Sequence, residues 1–316
     1  MFNLNRVIYW LVLFLAFELS LFAAYIILFN ILEVKNPFEK PLENPVVQLA
    51  KKEKVQYPKE ANNSKMIAPQ VKVAPEKNKL ETALVEITPN SPEDIVHVMD
   101  EGVKPIIYTK SIPLSKLSIQ NKKQSFIDMI VPSILIVKRR ICQDRERVIA
   151  LINQGELSKE ERVWLTKKRH IFKAKDNNEL YKKMGTHPTS IVVAQAIIES
   201  GWGTSRFFEQ ANNLFGVWSF TEHEERMEAN ESRGEQRVYL RKYTSIEQSI
   251  NDYFILLSTQ EAYQAFRDKR LRSQNPFELI QELDKYSELG DVYIRNLKET
   301  IEKNGLELYD SYHLDL

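Results

Sequence analysis

From about Ser118 to the C-terminus, apolar residues return every three or four positions, the period of a helix with one buried face. In KKQSFIDMIVPSILIVKRRICQDRERVIALINQ, the residues Phe126, Ile130, Ile134, Val137, Ile141, Val148 and Leu151 keep this spacing. Pro132 within that run predicts a kink or a start. SKEERVWLTKKRHIFKA places Ser158 three residues before Glu161, the pattern of a capping box. HPTSIVVAQAIIES predicts a helix capped by Thr189 or Ser190 and stopped by Gly201. Three further runs, SIEQSINDYFILLSTQEAYQAFRDKR, NPFELIQELDKY and DVYIRNLKETIEKNG, also read as helices. Between Gly216 and Tyr243 the texture changes. VWSFTE and QRVYLRKY predict two strands joined by a turn around Ser232-Arg233-Gly234. The expected architecture is mainly α, an α+β arrangement with one small β-hairpin lobe.

The N-terminal part follows other rules. Val7 to Leu32 is almost wholly apolar and long enough for a bilayer, which takes about 20 helical residues. It exceeds the short apolar core of a cleavable signal and no small-x-small site follows, so residues 1–32 are expected to be an uncleaved transmembrane anchor. Glu18 is the one charge inside it and reads as protonated or snorkelling, with contact to a partner helix as the alternative. Arg6 and the amino terminus flank one side and Lys35, Lys40, Lys51, Lys52 and Lys54 the other, yet orientation stays open, because large domains cross membranes largely regardless of charge. From residue 33 to 117 the chain is rich in Lys, Glu, Pro, Asn and Gln. That composition predicts a low-order linker, with a short strand near Ile106–Tyr108. The folded domain is then expected over 118–316.

Composition narrows the function. The formal net charge of +1 over 316 residues, with no basic stripe or binding motif, argues against a nucleic-acid partner. Cys142 is the single cysteine, so no internal disulfide can form. His97, His170, His187, His223 and His313 show no metal-ligand spacing, and neither a phosphate loop nor a Ser/His/Asp arrangement appears. No metal and no cofactor are expected.

The chemistry concentrates in AQAIIESGWGTSR, from Ala194 to Arg206. Gln195 and Glu199 stand at i and i+4 on an otherwise apolar helix. Glu199 falls in the last turn, where the helix carbonyls disfavour an ionised carboxylate. Apolar neighbours and Trp202 add desolvation in the same direction. A carboxylic acid held protonated near neutral pH suits general-acid work. A buried Glu satisfied by backbone amides fits the spacing equally well. Gly201 and Gly203 would allow a sharp turn and close approach of a polymer.

AQAIIESGWGTSRF followed by NNLFGVWSF resembles the glucosaminidase domain of peptidoglycan hydrolases, glycoside hydrolase family 73. The preceding helices, with LFGVWSF, AYQAFRDKR and YSELGDVYIRNL, resemble its Bax-type branch. The resemblance covers about Gln120 to Leu308. It implies a lysozyme-like fold with a groove between helical lobe and hairpin, and hydrolysis of the β-1,4 bond after N-acetylglucosamine in peptidoglycan glycan strands. It further implies Glu199 as general acid and Tyr286 as the tyrosine of the family's Y-A-T-D segment, although Ser287-Glu288-Leu289 replaces Ala-Thr-Asp here. Asn213 and Phe215 would shape the groove floor, and Trp202 and Trp218 would stack on sugar rings. The family's second acid sits on the hairpin, where TEHEERMEANESRGEQ offers Glu222, Glu224, Glu225, Glu228, Glu231 and Glu235. Glu231, just before the turn, is the first candidate and Glu228 the next; assistance by the substrate's N-acetyl group would make either dispensable. A lytic transglycosylase and a non-catalytic glycan-binding module are the alternatives, and NNLFG after the acid favours the hydrolase. A wall substrate would place the domain on the periplasmic or cell-wall side of the cytoplasmic membrane, tethered through residues 7–32.

Overall fold

The computed structural model describes residues 79–229 and 237–316, all within the unit spanning 55–316. The expected anchor lies outside these residues, as does the turn at 232–234. Among the described residues no helix is long and apolar enough to cross a membrane.

The first elements overturn the expected linker over its C-terminal part. Residues 79–117 fold as α1 (Lys79–Ala83), β1 (Val85–Ile87), β2 (Gly102–Val103) and β3 (Ile106–Tyr108), the last being the strand expected there. Strand β1 pairs with β3 in parallel, Val85 opposite Ile106. This segment is about as apolar as the chain as a whole, and its apolar residues are spent efficiently. Leu80, Ile106, Tyr108, Ile112 and Leu114 are all buried against helices that follow. A segment that borrows another element's core needs only a few such positions, whereas composition averaged over the whole stretch counts the polar majority.

The centre is α2 (Ile119–Asn153), capped by Ser118, whose hydroxyl accepts from the Asn121 N–H. It runs through Pro132 as one helix and does not start there, and its stretch Phe126 to Val137 is buried. Asp128, wholly buried on α2, fastens the preceding segment by accepting from Val98 N–H at 2.9 Å and meeting His97 Nδ1 at 2.6 Å. The helices α3 (Lys159–Ile171), with its expected Ser158/Glu161 capping box, and α4 (Asn177–Lys183) follow.

Next comes α5 (Thr189–Ser200), buried along most of its length and ended by Gly201 at φ +58°, as the sequence predicts. Its N-terminus departs from expectation. Pro188 occupies the cap position, and no side chain of the expected cap pair closes it; the partner comes from Asp310. After α6 (Arg206–Ala211) the expected hairpin is a three-stranded sheet of β4 (Trp218–Ser219), β5 (Arg226–Glu228) and β6 (Tyr239–Arg241). Its order is β4-β6-β5, antiparallel throughout, with Trp218 and Met227 both opposite Leu240. The acidic stretch thus contributes a strand of its own, steadied by Arg226 lying 4.1 Å over the Tyr239 ring. The remaining elements are α7 (Ile246–Thr259), α8 (Gln264–Arg270), α9 (Pro276–Leu279), a 3-10 run 280–286, α10 (Asp291–Asn304) and β7 (His313–Leu314). Strand β7 pairs in parallel with β2, so the C-terminus closes on the N-terminal segment. Helices α2, α5, α7 and α10 share one apolar core.

Candidate active site

Helix α5 presents Gln195 and Glu199 one turn apart, and both meet the same tyrosine of α10. Tyr293 Oη donates to Glu199 Oε1 at 3.0 Å and accepts from Gln195 Nε2 at 3.1 Å. Glu199 is half-buried, and burial pushes its carboxyl above the usual carboxylate range against the opposing pull of the Tyr293 hydroxyl. A structural Glu saturated by backbone amides is therefore not what α5 carries: the one hydrogen bond to this carboxylate among the described residues comes from a side chain.

Four tyrosines surround the acid. Tyr286 stacks on Tyr293 with ring centroids 5.6 Å apart and 12° between planes, and Tyr253 and Tyr263 contact Tyr286 edge-on and tilted. The negative potential of Glu199 contributes to raising all four phenols, behind burial as the largest cause; Tyr263 rises to about 12. These groups stay neutral donors at any physiological pH. The Tyr286 hydroxyl makes no hydrogen bond to a described residue.

The other expected site residues divide. Phe215 is buried and stacks on Tyr253 at 4.2 Å, which places it beneath the tyrosine cluster. Asn213 serves the scaffold: its amide donates to the carbonyls of Val217 and Arg241 and its oxygen accepts from Val217 N–H, so its polar atoms are consumed in holding the loop to β6. Trp202, in the left-handed region at φ +59°, packs edge-on against Phe126 at 5.8 Å under the Lys123 ammonium. Gly203 faces inward as well, since a Cβ there would stand 2.7 Å from both Leu114 Cδ1 and Phe126 Cδ2. Its freedom serves the core, not the approach of a polymer. Trp218 on β4 is 38% exposed and adjoins Phe220, which is 84% exposed. The sequence reading passed over Phe220, although VWSF places both rings on one face of a strand.

Of the hairpin acids, Glu224 is held by Ser219 and Arg241, Glu222 by Arg226 and Glu225 by Lys242. Glu228, at the end of β5, is exposed and pairs loosely with Arg237 at 3.5 Å, while Arg206 holds its backbone carbonyl. No contact joins Glu228 to Glu199. Glu231 and Glu235 lie outside the described residues. Among the described residues no group of three or more His, Cys, Asp or Glu side chains converges as a metal site would.

Tyr293 and Tyr253 were missed by the sequence reading. Each is one more apolar-face position on an amphipathic helix, and nothing local marks a tyrosine that will meet a carboxylate 94 residues away.

Residues 174–306 match the glucosaminidase family, described as mannosyl-glycoprotein endo-beta-N-acetylglucosaminidase. Over 186 residues the chain is 29% identical to Protein bax of Escherichia coli (strain K12), covering 54% of this chain and 66% of that protein. Over 144 residues it is 33% identical to Exo-glucosaminidase LytG of Bacillus subtilis (strain 168), covering 43% of this chain and 51% of that protein. The chain thus spans between half and two thirds of the length of these curated relatives. The catalytic domain of the autolysin Auto from Listeria monocytogenes aligns in structure at 20% identity with a TM-score of 0.34, covering 53% of this chain and 97% of that one.

Proposed function

We propose that this chain, whose residues 174–306 match the glucosaminidase family, is a glycoside hydrolase that cleaves β-1,4 bonds of peptidoglycan after N-acetylglucosamine. The observation that carries the reading is Glu199 itself: a half-buried carboxyl at the end of an apolar helix, raised by burial and bonded by one phenol. Glu199 is the general acid. It gives its proton to the bridging oxygen as the bond from the anomeric carbon to that oxygen breaks, and positive charge develops on the sugar ring. Water then adds to the anomeric carbon and gives its proton to a hairpin carboxylate, Glu231 or else Glu228, which completes the acid pair. Tyr286, with a hydroxyl uncommitted within the described protein, orients the substrate beside Glu199, and the Trp218–Phe220 face supplies an apolar platform for sugar rings. A lysozyme-like groove between the helices and the sheet would hold the glycan. A transmembrane helix at residues 7–32 would tether the domain on the outer side of the cytoplasmic membrane.

The test is turnover of purified peptidoglycan by the full chain and by Glu199→Gln, with products resolved by mass spectrometry. The wild type is expected to release reducing N-acetylglucosamine ends, and the variant to lose about 10²-fold or more in rate. Undiminished digestion by the variant would remove Glu199 from the chemistry. Anhydro-sugar products would reassign the reaction to a transglycosylase, and binding without turnover in both forms would leave a glycan-binding module. Deleting residues 1–32 is expected to move the protein from the membrane to the soluble fraction.

A further inference from the structure

The hydrogen bond that reaches Glu199 from Tyr293 is the last of four. Tyr253 Oη donates to Gln195 Oε1 at 2.6 Å, and His187 Nε2 lies 2.9 Å from Tyr253 Oη. All four relaying side chains are buried: His187, Tyr253, Gln195 and Tyr293 are each no more than 1% exposed. We propose that His187 and Tyr253 are positioning residues for Glu199, acting through Gln195 and Tyr293 to fix which carboxyl oxygen carries the acid proton. The proposal rests on Glu199 being the general acid.

The direction of the chain follows from one end. A carboxylate oxygen can only accept, so the Tyr293 O–H is spent on Glu199 Oε1. Tyr293 must then accept from the Gln195 amide, which turns the Gln195 oxygen toward Tyr253. The Tyr253 O–H is spent in turn, so its oxygen accepts from His187, and the proton of that imidazole sits on Nε2. Nδ1 is left bare, and it is buried without a partner among the described residues. With Glu199 ionised every donor therefore points at Oε1, and a proton added at Oε2 leaves that order undisturbed. The proton of the neutral acid is left to Oε2, the oxygen free to face a glycosidic bond.

The surroundings hold this state. His187 faces Arg270 of α8, Lys138 of α2 and Tyr253 of α7, and no carboxylate. Burial first, then those two cations, keep its imidazole neutral, well below the usual histidine range. Its ring is clamped by Phe254 at 4.9 Å and Phe266 at 5.2 Å. Glu199 faces Tyr293 of α10, the Tyr286 ring at the end of the 3-10 run, and Tyr253 and Tyr263, all neutral groups.

The test uses the full chain. Nitrogen-15 spectra of its histidines, from pH 5 to 8, are expected to show His187 neutral with the proton on Nε2; an Nδ1–H ring would overturn the proposal without reference to activity. Kinetics supply the second arm. His187→Leu is expected to lower kcat severalfold with KM unchanged and to move the upper limb of the pH–rate profile to higher pH, because a donor that favours the carboxylate has weakened. His187→Gln, whose Nε2 can donate from the same place, is expected to restore both. Tyr293→Phe should shift that limb in the same sense by about one pH unit, as expected for loss of a bond to a charged group. Wild-type profiles in His187→Leu and Tyr293→Phe would sink the relay while leaving Glu199 as acid. Digestion by Glu199→Gln would instead sink the functional reading and leave the histidine spectra to stand.

Discussion

Asp310 grips Ser190 with both carboxylate oxygens, Oδ1 accepting the backbone N–H at 2.7 Å and Oδ2 the hydroxyl at 2.8 Å. The helix that delivers Glu199 is therefore capped by a residue near the far end of the chain. Asp310→Ala removes that cap from a buried helix start, and a loss of about 1–2 kcal/mol is expected, read as a lower denaturation midpoint. Burial raises the Asp310 carboxyl above its usual range and outweighs the Ser190 bonds, which pull it down. A raised folded-state value means stability present below the unfolded value and lost as pH rises through the folded one. Asp310→Asn keeps an acceptor for Ser190 and has no charge to bury, so its stability should fall less than the wild type's between pH 4 and pH 8.

The same linkage applies to Glu199, whose carboxyl is also raised chiefly by burial. Its contribution to stability is full below the unfolded value and is lost as pH rises through the folded one. Glu199→Gln is thus expected to denature at a higher temperature than the wild type at pH 8 and to show no gain at pH 4. On the proposed mechanism, wall digestion should decline as pH rises through the Glu199 value, since only the protonated acid can donate.

Tyr286 offers a separate handle. Its ring is stacked on Tyr293 while its hydroxyl bonds no described residue. Tyr286→Phe should therefore leave the thermal midpoint within a degree or so of the wild type, yet cost at least about tenfold in kcat/KM if the hydroxyl orients substrate. Unchanged kinetics in this variant would return Tyr286 to the packing of the cluster.

Gly203 combines a left-handed backbone, φ +75°, with a position whose Cβ would fall 2.7 Å from Leu114 and Phe126. Gly203→Ala is expected to destabilise by about 1–3 kcal/mol through strain and overpacking. Urea denaturation measures it directly.

What the sequence made legible was local. The Ser158/Glu161 box, the Gly201 stop, the strand at Ile106–Tyr108 and the burial-raised carboxyl at 199 each depend on neighbours within a turn or a few residues. What it hid was supplied from afar. Asp310 caps a helix 120 residues earlier, and Tyr253 reaches Gln195 across 58. A capping Ser reads as a cap only when no remote carboxylate outbids it. Asn213 shows the converse: the family resemblance implies a residue of the groove floor, and its three bonds to the Val217 and Arg241 backbone show it anchoring the loop. The role of β5 was obscured because charge dominates RME, and only its pairing with Tyr239–Arg241 makes it a strand.

The boundary of the folded unit carries the last prediction. Residues 79–117 supply Tyr108, Ile112 and Leu114 to the same core as Phe126 of α2 and Phe208 of α6. Ser111 Oγ donates to the Phe208 carbonyl, and the Asn212 amide reaches back to the Thr109 carbonyl at 2.9 Å. Fully burying each large apolar side chain contributes about 1.5–3 kcal/mol, so losing several exceeds much of the roughly 5–15 kcal/mol margin of a domain. A chain beginning at residue 118 should therefore be poorly soluble or melt far below one beginning at 79, and its Glu199 should lose digestion with it, because Leu114 and Phe126 also pack under the Gly203 turn that follows α5. Equal melting temperatures and equal turnover for the two truncations would make the N-terminal segment an accessory and restore the boundary that composition drew.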